Sequence, residues 1–388
     1  MRVTPGCLPA IGALLALGQV GCGGCGKSSS ALSSDASAAA SVPSSSGVVL
    51  GAAKPGMAWI PAGVLHAGTP VDRVPRVPDE EPPGTEMTLG GFYIDLYPYP
   101  NEAGAIPTSN VSREDAAHLC ETKGKRLCTE LEWERSCKGP DNFSYEYGDP
   151  YRASSCITGV AIEESARRPS GERLACKSPF GVMDLHGGVW EWTDSAWKRG
   201  AKGDLGVLRG GNSIAGEIVG RCANGIGRNV TSKGATMGFR CCMGPRNPAE
   251  VTIEIKPTVP IERSMKPSEL AAPLLAFATT KWGSETEAFT ASQAWTWHPA
   301  SNEELVIVSG CAKGADKTKK PLKCGIAVGR ASPAAAPLLA IDAGRSVGEV
   351  VLFGDARHLR MLSVDARSAF VRTITYAYGR IELGEIKR

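Results

Sequence analysis

Apolar and polar positions divide this chain into segments of distinct character. Leu8 to Leu17 is an apolar run that follows Arg2 and leads through small residues to Gly21-Cys22. It has the length of a secretory leader and is too short to cross a bilayer as a helix, which takes about 20 residues. Lys27 to about Gly47 is rich in Ser and Ala and almost uncharged. Such a segment buries too little surface to offset its ordering entropy, which predicts a flexible tether. From 51 to 246 the pattern predicts short strands and long Gly/Pro-punctuated loops with two helices. Ser112 ahead of Arg-Glu-Asp115 predicts an N-cap and a helix through Cys120. Thr129 with Glu132 three residues on is a capping box, and Leu131, Trp133 and Cys137 give the next helix an apolar face. The acidic residues in both are read as caps rather than acid–base groups. Trp190 and Trp192 alternate as in a strand, which buries at least one of them.

Pro245-Arg-Asn-Pro-Ala-Glu is a composition break. Beyond it, Pro267 to Ala276 predicts one short helix. Strand-like runs follow at Glu304–Ser309, Cys324–Val328, Leu338–Ile341, Glu349–Phe353, Leu359–Val364 and Phe370–Tyr378, with turn residues between them. Residues 250–388 therefore predict a small all-β domain, a sandwich or barrel. The organisation expected is a signal peptide over 1–21, a linker over 22–50, and domains over 51–246 and 250–388.

Composition narrows the function. Charged residues are 21% and the net charge is +3, with no basic run or basic-aromatic stripe, which argues against nucleic acid. Cys7, Cys22 and Cys25 fall in the leader region, leaving ten cysteines: eight before residue 246, and Cys311 and Cys324 beyond it. Even counts in an exported chain predict disulfides. Cys311 and Cys324 flank a loop carrying Lys313, Lys317, Lys319 and Lys320, read as a solvated hairpin tip stapled at its base. Gly21-Cys22 resembles a bacterial lipoprotein cleavage site, with Cys22 acylated and Gln19 where Leu is usual. Cleavage near Ala36-Ser-Ala38 would instead release a soluble protein.

The most specific signal is Gly181-Val-Met-Asp184-Leu-His-Gly187-Gly-Val-Trp190-Glu191-Trp192, followed by Leu-Arg209-Gly-Gly211 and Gly238-Phe239-Arg240-Cys241. Upstream stand Trp59-Ile-Pro-Ala-Gly63, Phe92-Tyr-Ile-Asp95, Val111-Ser-Arg-Glu-Asp115 and Gly124-Lys-Arg-Leu127-Cys-Thr-Glu-Leu-Glu132-Trp133. Together these blocks, over roughly residues 55–245, resemble the formylglycine-generating enzyme (sulfatase-modifying factor) family. The resemblance implies an irregular α+β fold of C-type-lectin-like type. It also implies bridges Cys120–Cys241 and Cys137–Cys222; Cys156–Cys176 and Cys128–Cys242 are then expected from what remains. Arg209 and Arg240 are expected as structural donors. Asp79-Glu80-Glu81 falls where the family has a surface loop and is read as solvated.

Family enzymes use a copper-binding cysteine pair to oxidise a substrate cysteine. Here the matching interval, Asn212 to Arg221, holds no cysteine, and Cys222 matches a structural cysteine. Copper is thus not expected. The family's calcium loop carries over as Asp184 and Glu191 through carboxylates, with Gly187 and Val189 through carbonyls, a donor set suited to a hard cation. Its second calcium site is not recognisable around Ser154–Thr158. The leading expectation is a non-catalytic, lipid-anchored module binding a protein, peptide or glycan at the cell envelope. One alternative is formylglycine generation, which needs reduced thiols. Another, iron-dependent oxygenation, needs two histidines and a carboxylate, whereas His66, His118 and His186 fall in unrelated blocks.

Overall fold

In chain order the first half folds as β1 (Met57–Ile60), β2 (Gly63–Gly68), β3 (Pro83–Leu89), β4 (Phe92–Asp95), α1 (Arg113–Glu121), β5 (Arg126–Leu127) and α2 (Glu130–Lys138). It continues with β6 (Trp190–Ala196), β7 (Leu205–Arg209), β8 (Gly225–Asn229), β9 (Met237–Phe239) and β10 (Cys241–Met243). The computed structural model describes residues 51–161, 164, 167–283, 288–312, 323–330, 337–344, 347–364 and 369–387. All of these belong to one unit, Val48–Arg388. The leader, Cys22, the tether and the lysines at 313, 317, 319 and 320 lie outside the described residues.

Three small sheets surround the two helices. One has the order β1-β4-β10-β5, a second is the β2-β3 hairpin, and the third runs β8-β7-β6-β9. β6 and β9 pair in parallel, Trp192 opposite Phe239, which brings the Trp-Glu-Trp strand beside the Gly-Phe-Arg strand. Both helices open on a capping box, Ser112 with Asp115 and Thr129 with Glu132, so the N-terminal amides are satisfied locally. With so little regular structure, covalent ties matter. Cys120–Cys241, Cys128–Cys242, Cys137–Cys222 and Cys156–Cys176 are bridged. The first two fix β10 to the end of α1 and to the entry of α2.

Helix α2 departs from the amphipathic picture. All nine of its residues are buried, including Glu130, Glu132, Glu134, Arg135 and Lys138. Each carboxylate has an ion partner: Glu130 takes Arg199 and Arg209, Glu132 takes Arg126, and Glu134 takes Lys138 and Arg209, while Arg135 donates to the carbonyls of Val64 and Gly139. The loops wrap the polar face of the helix as well as its apolar one, and arrive carrying the complementary ions.

The second half is β11 (Ile261–Arg263), α3 (Pro267–Leu270), α4 (Ala272–Trp282), β12 (Phe289–Ala300), β13 (Glu303–Ala312), β14 (Lys323–Arg330) and β15 (Pro337–Gly344). It ends with β16 (Glu349–Gly354), β17 (His358–Val364), β18 (Ala369–Ala377) and β19 (Arg380–Lys387). β11 to β15 form one antiparallel sheet in sequence order, and β16 to β19 another. Trp297, Leu305, Ile326 and Val328 of the first sheet share a core with Leu359, Met361 and Ile374 of the second. Cys311–Cys324 ties β13 to β14.

This half is not all-β, and its helical part does not stop at Ala276. α4 runs to Trp282, and Ala271, Leu274, Ala278 and Trp282 pack on Ala294, Val306, Val308 and Ala327. The larger sheet is therefore covered on both faces, which is why β13 and β14 are almost continuously buried rather than alternating.

The acidic trio is not a free surface run: Glu81 is buried, Asp79 and Glu80 are half-buried, and each of the three residues is engaged. Glu81 pairs with Arg221, the Glu80 carbonyl accepts from Arg199, and Asp79 accepts from the backbone of Ser301 and Asn302. Arg76 of the same loop is buried against Glu303, which also takes Arg330.

Candidate functional site

The Gly181–Trp192 segment is organised around one buried guanidinium. Arg240, just after β9, donates Nε and Nη2 to Glu191 at 2.6 and 2.7 Å. Nη2 also reaches the carbonyls of Met183 and Asp184 at 3.0 and 3.1 Å. Glu191 accepts a third bond, from Trp133 Nε1 at 2.7 Å, and so links β6 to α2. Burial weakens the Arg240 charge, but Glu191, Asp184 and Glu146 outweigh it and hold its pKa above the usual value. Arg209 does the same at the other end of α2. It bonds Glu130 and Glu134 and the carbonyls of Cys222, Ala223 and Asn224, so both arginines buttress irregular backbone.

The four expected calcium ligands take different positions in this arrangement. Asp184 sits at φ 56°, and its Oδ2 accepts from Gly171 N at 2.6 Å. Its Oδ1 is buried without a partner, and burial pushes the carboxyl up to about 6. Gly187, at φ 82°, donates its N–H to Gly210 O at 3.1 Å. No other residue fits there, because a Cβ would lie 2.3 Å from Ile157 O. Val189 is buried, its side chain against Gly238. Glu191 does not fit a calcium ligand in this arrangement, since both its oxygens already accept strong donors and a cation would have to displace a guanidinium. Asp184 Oδ1 is the orphaned oxygen of the set.

The stretch from Asn212 to Arg221 folds as a turn-rich loop with Arg221 turned inward to Glu81. Cys222, at its end, is bonded to Cys137. Among the described residues all ten cysteines are in bridges. An open depression of about 620 Å³ is lined by Arg113, Asp115, Asp194, Asp204 and Lys233, with charges of both signs.

Two residues converge beside the Asn212–Arg221 loop, Glu146, which the sequence did not single out, and His186, which it set aside as a metal ligand. Glu146, within Tyr145-Glu-Tyr147, is fully buried against the Cys156–Cys176 bridge, and His186 is buried next to it. A carboxylate set between two aromatic residues was the available signal for Glu146. His186 was legible as part of the glycine-rich motif and as one of the three histidines weighed for iron.

Residues 100–244 match the model of the sulfatase-modifying factor enzyme 1-like domain. "Inactive C-alpha-formylglycine-generating enzyme 2" of Bos taurus is 31% identical over 159 residues, 37% of this chain and 52% of that protein. The formylglycine-generating enzyme of Mycobacterium tuberculosis is 30% identical over 104 residues, 22% of this chain and 32% of that protein. Among solved structures, PvdO from Pseudomonas aeruginosa superposes with a TM-score of 0.41 at 22% identity, covering 49% of this chain and 99% of that one. The chain spans about half the length of the first curated relatives it matches, 52% and 51%. Residues 100–244 are thus a sulfatase-modifying factor enzyme 1-like domain, carried in a chain whose remaining residues that family model does not cover.

Proposed function

We propose that this protein is a non-catalytic member of the formylglycine-generating enzyme group, exported and held at the bacterial envelope by a lipid on Cys22. There it would bind a protein, peptide or glycan. One observation carries the reading: the loop that would hold the copper-binding thiols has none, and Cys222 at its end is bonded to Cys137. Cu(I) in a linear site requires thiolates, and a disulfide sulfur has no charge with which to hold it. A relative over the same region bears the name of an inactive enzyme, which supports the same conclusion. The fold, of C-type-lectin-like type, presents loops on a cross-linked frame, and the mixed-charge depression by Arg113, Asp194 and Lys233 suits a polar peptide. Calcium at Asp184 belongs to this proposal only if Glu191 exchanges Arg240 for the ion.

The test is non-reducing alkylation and peptide mapping of the exported protein, with copper analysis and an assay for conversion of a cysteine peptide to formylglycine. Five intact bridges, no stoichiometric copper and no aldehyde product are expected. A free, copper-loaded Cys222 with product formation would replace this reading with the oxidase.

A further inference from the structure

Glu146, Cys156, Cys176 and His186 form a closed cluster that the proposed function does not use. Glu146 Oε2 accepts from Leu185 N at 3.0 Å, while Oε1 lies 2.9 Å from Cys156 Sγ and 2.8 Å from Cys176 Sγ. A disulfide has no S–H, so neither contact is a thiol hydrogen bond. His186 is 2% exposed and neither ring nitrogen has a partner. One of those nitrogens, a Glu146 oxygen and Cys156 Sγ all lie within 4.8 Å of one another. The backbone makes room for this. The Ile157–Gly187 bridge pins the Cys156 segment beside His186, and a Cβ on Gly220 would strike the imidazole at 1.9 Å. An imidazole buried with both nitrogens orphaned loses its hydrogen bonds to water without replacing them, so the position needs a reason.

We propose that the Cys156–Cys176 bridge is the closed form of a metal site, and that the opened bridge lets Cys156, Cys176, His186 and Glu146 hold one zinc ion. Two thiolates, an imidazole and a carboxylate are a tetrahedral zinc donor set. Neither His186 ring nitrogen has a hydrogen-bond partner, so the nitrogen that lies beside Glu146 and Cys156 is free to serve as a ligand. Opening takes a dithiol reductant. It passes two electrons and two protons to the S–S bond, leaving two thiols here and becoming a disulfide itself. Zinc then displaces the thiol protons, and that of the Glu146 carboxyl if present, to solvent. A disulfide-class oxidant reverses the sequence: it takes two electrons from the thiolates, the bridge re-forms and the ion leaves.

The full-length exported chain carrying Cys176→Ser tests this without any reductant. It keeps three of the ligands, and the other four bridges can still form. One Co²⁺ per chain is expected, with a thiolate-to-cobalt charge-transfer band and tetrahedral d–d bands, displaced by one Zn²⁺. Adding His186→Asn should weaken binding at least about tenfold. The oxidised unmutated chain, and a Cys324→Ser chain with its free thiol elsewhere, should lack the band. A folded Cys176→Ser chain without the band, or a band indifferent to His186→Asn, overturns the proposal. Should Cys176→Ser not fold, the unmutated chain refolded from the reduced state with zinc decides. Zinc protecting Cys156 and Cys176 from alkylation supports the site, and their free alkylation rejects it.

Discussion

Glu81 and Arg221, 140 residues apart in the chain, meet as a two-point ion pair, with Nη1–Oε2 at 2.6 Å and Nη2–Oε1 at 2.5 Å. Their side chains are 1% and 2% exposed, and Thr69 adds a hydroxyl to Glu81 at 2.7 Å. The pair closes the loop that would carry catalytic thiols in the enzymes onto the β2–β3 loop. Removing one partner strands a buried charge, at about 3–5 kcal/mol. Glu81→Gln should therefore lower the urea midpoint sharply, and Arg221→Met in the same chain should recover part of the loss. Additive losses would show that the pair does not act as a unit.

Glu303 and Glu217 join the two halves with very different consequences. Glu303 is buried between Arg76 and Arg330, whereas Glu217 and Arg380 are 37% and 41% exposed. Exposed pairs contribute at most about 1 kcal/mol and are screened by salt. Arg380→Ala is expected to shift the melting temperature slightly, and less at high salt. Glu303→Gln should cost several times more at any salt concentration.

The bridge from Cys137 to Cys222 closes a loop of 85 residues. In the chain-entropy model that corresponds to about 4–5 kcal/mol. The double variant Cys137→Ser/Cys222→Ser should lose most of this in chemical denaturation and gain no copper. Copper uptake by Cys137→Ser alone, which frees the Cys222 thiol, would point back to an oxidase.

Asp95 gives a pH signature. Burial pushes its carboxyl above the usual range despite Lys125 at 2.5 Å, the amide of Cys241, Asn101 and the Arg240 charge. A carboxyl raised on folding favours the native state below its unfolded pKa, and that contribution is lost as pH rises through the folded value. The stability difference between the unmutated chain and Asp95→Asn, measured from acid upward, should shift in favour of Asp95→Asn as pH rises from about 4. A flat difference would mean that Lys125 fully offsets the burial.

What the sequence made legible was local. The Ser112 N-cap, the Thr129–Glu132 capping box, the Trp-Glu-Trp strand and most of the strands after residue 303 could be read from neighbouring residues. β12 was missed: its Trp295–Trp297 alternation is broken by bulges after Ala291 and Trp297, and Pro299 argues against a strand interior. β19 was missed because it is polar and largely exposed. The charges were misread for a different reason. Glu81, Glu130 and Glu134 look like surface residues until their partners Arg221, Arg199 and Arg209 arrive from 69 to 140 residues away. Periodicity carries no trace of such long-range pairings. For the same reason Glu146 gave no sign that it would come to rest against a disulfide.

Arg76 reaches into the second half and Glu81 into the first, so six consecutive residues serve both. A fragment ending at residue 246 would expose Arg76 without Glu303, and one starting at 250 would leave Glu303 with Arg330 alone. Exchanging the C-terminal half for another protein's would therefore fail unless residues 76–81 were exchanged with it. The boundary that composition marks at Pro245 is thus crossed by the Arg76–Glu303 ion pair and by the bonds of Asp79 to Ser301 and Asn302, made from residues well upstream of it.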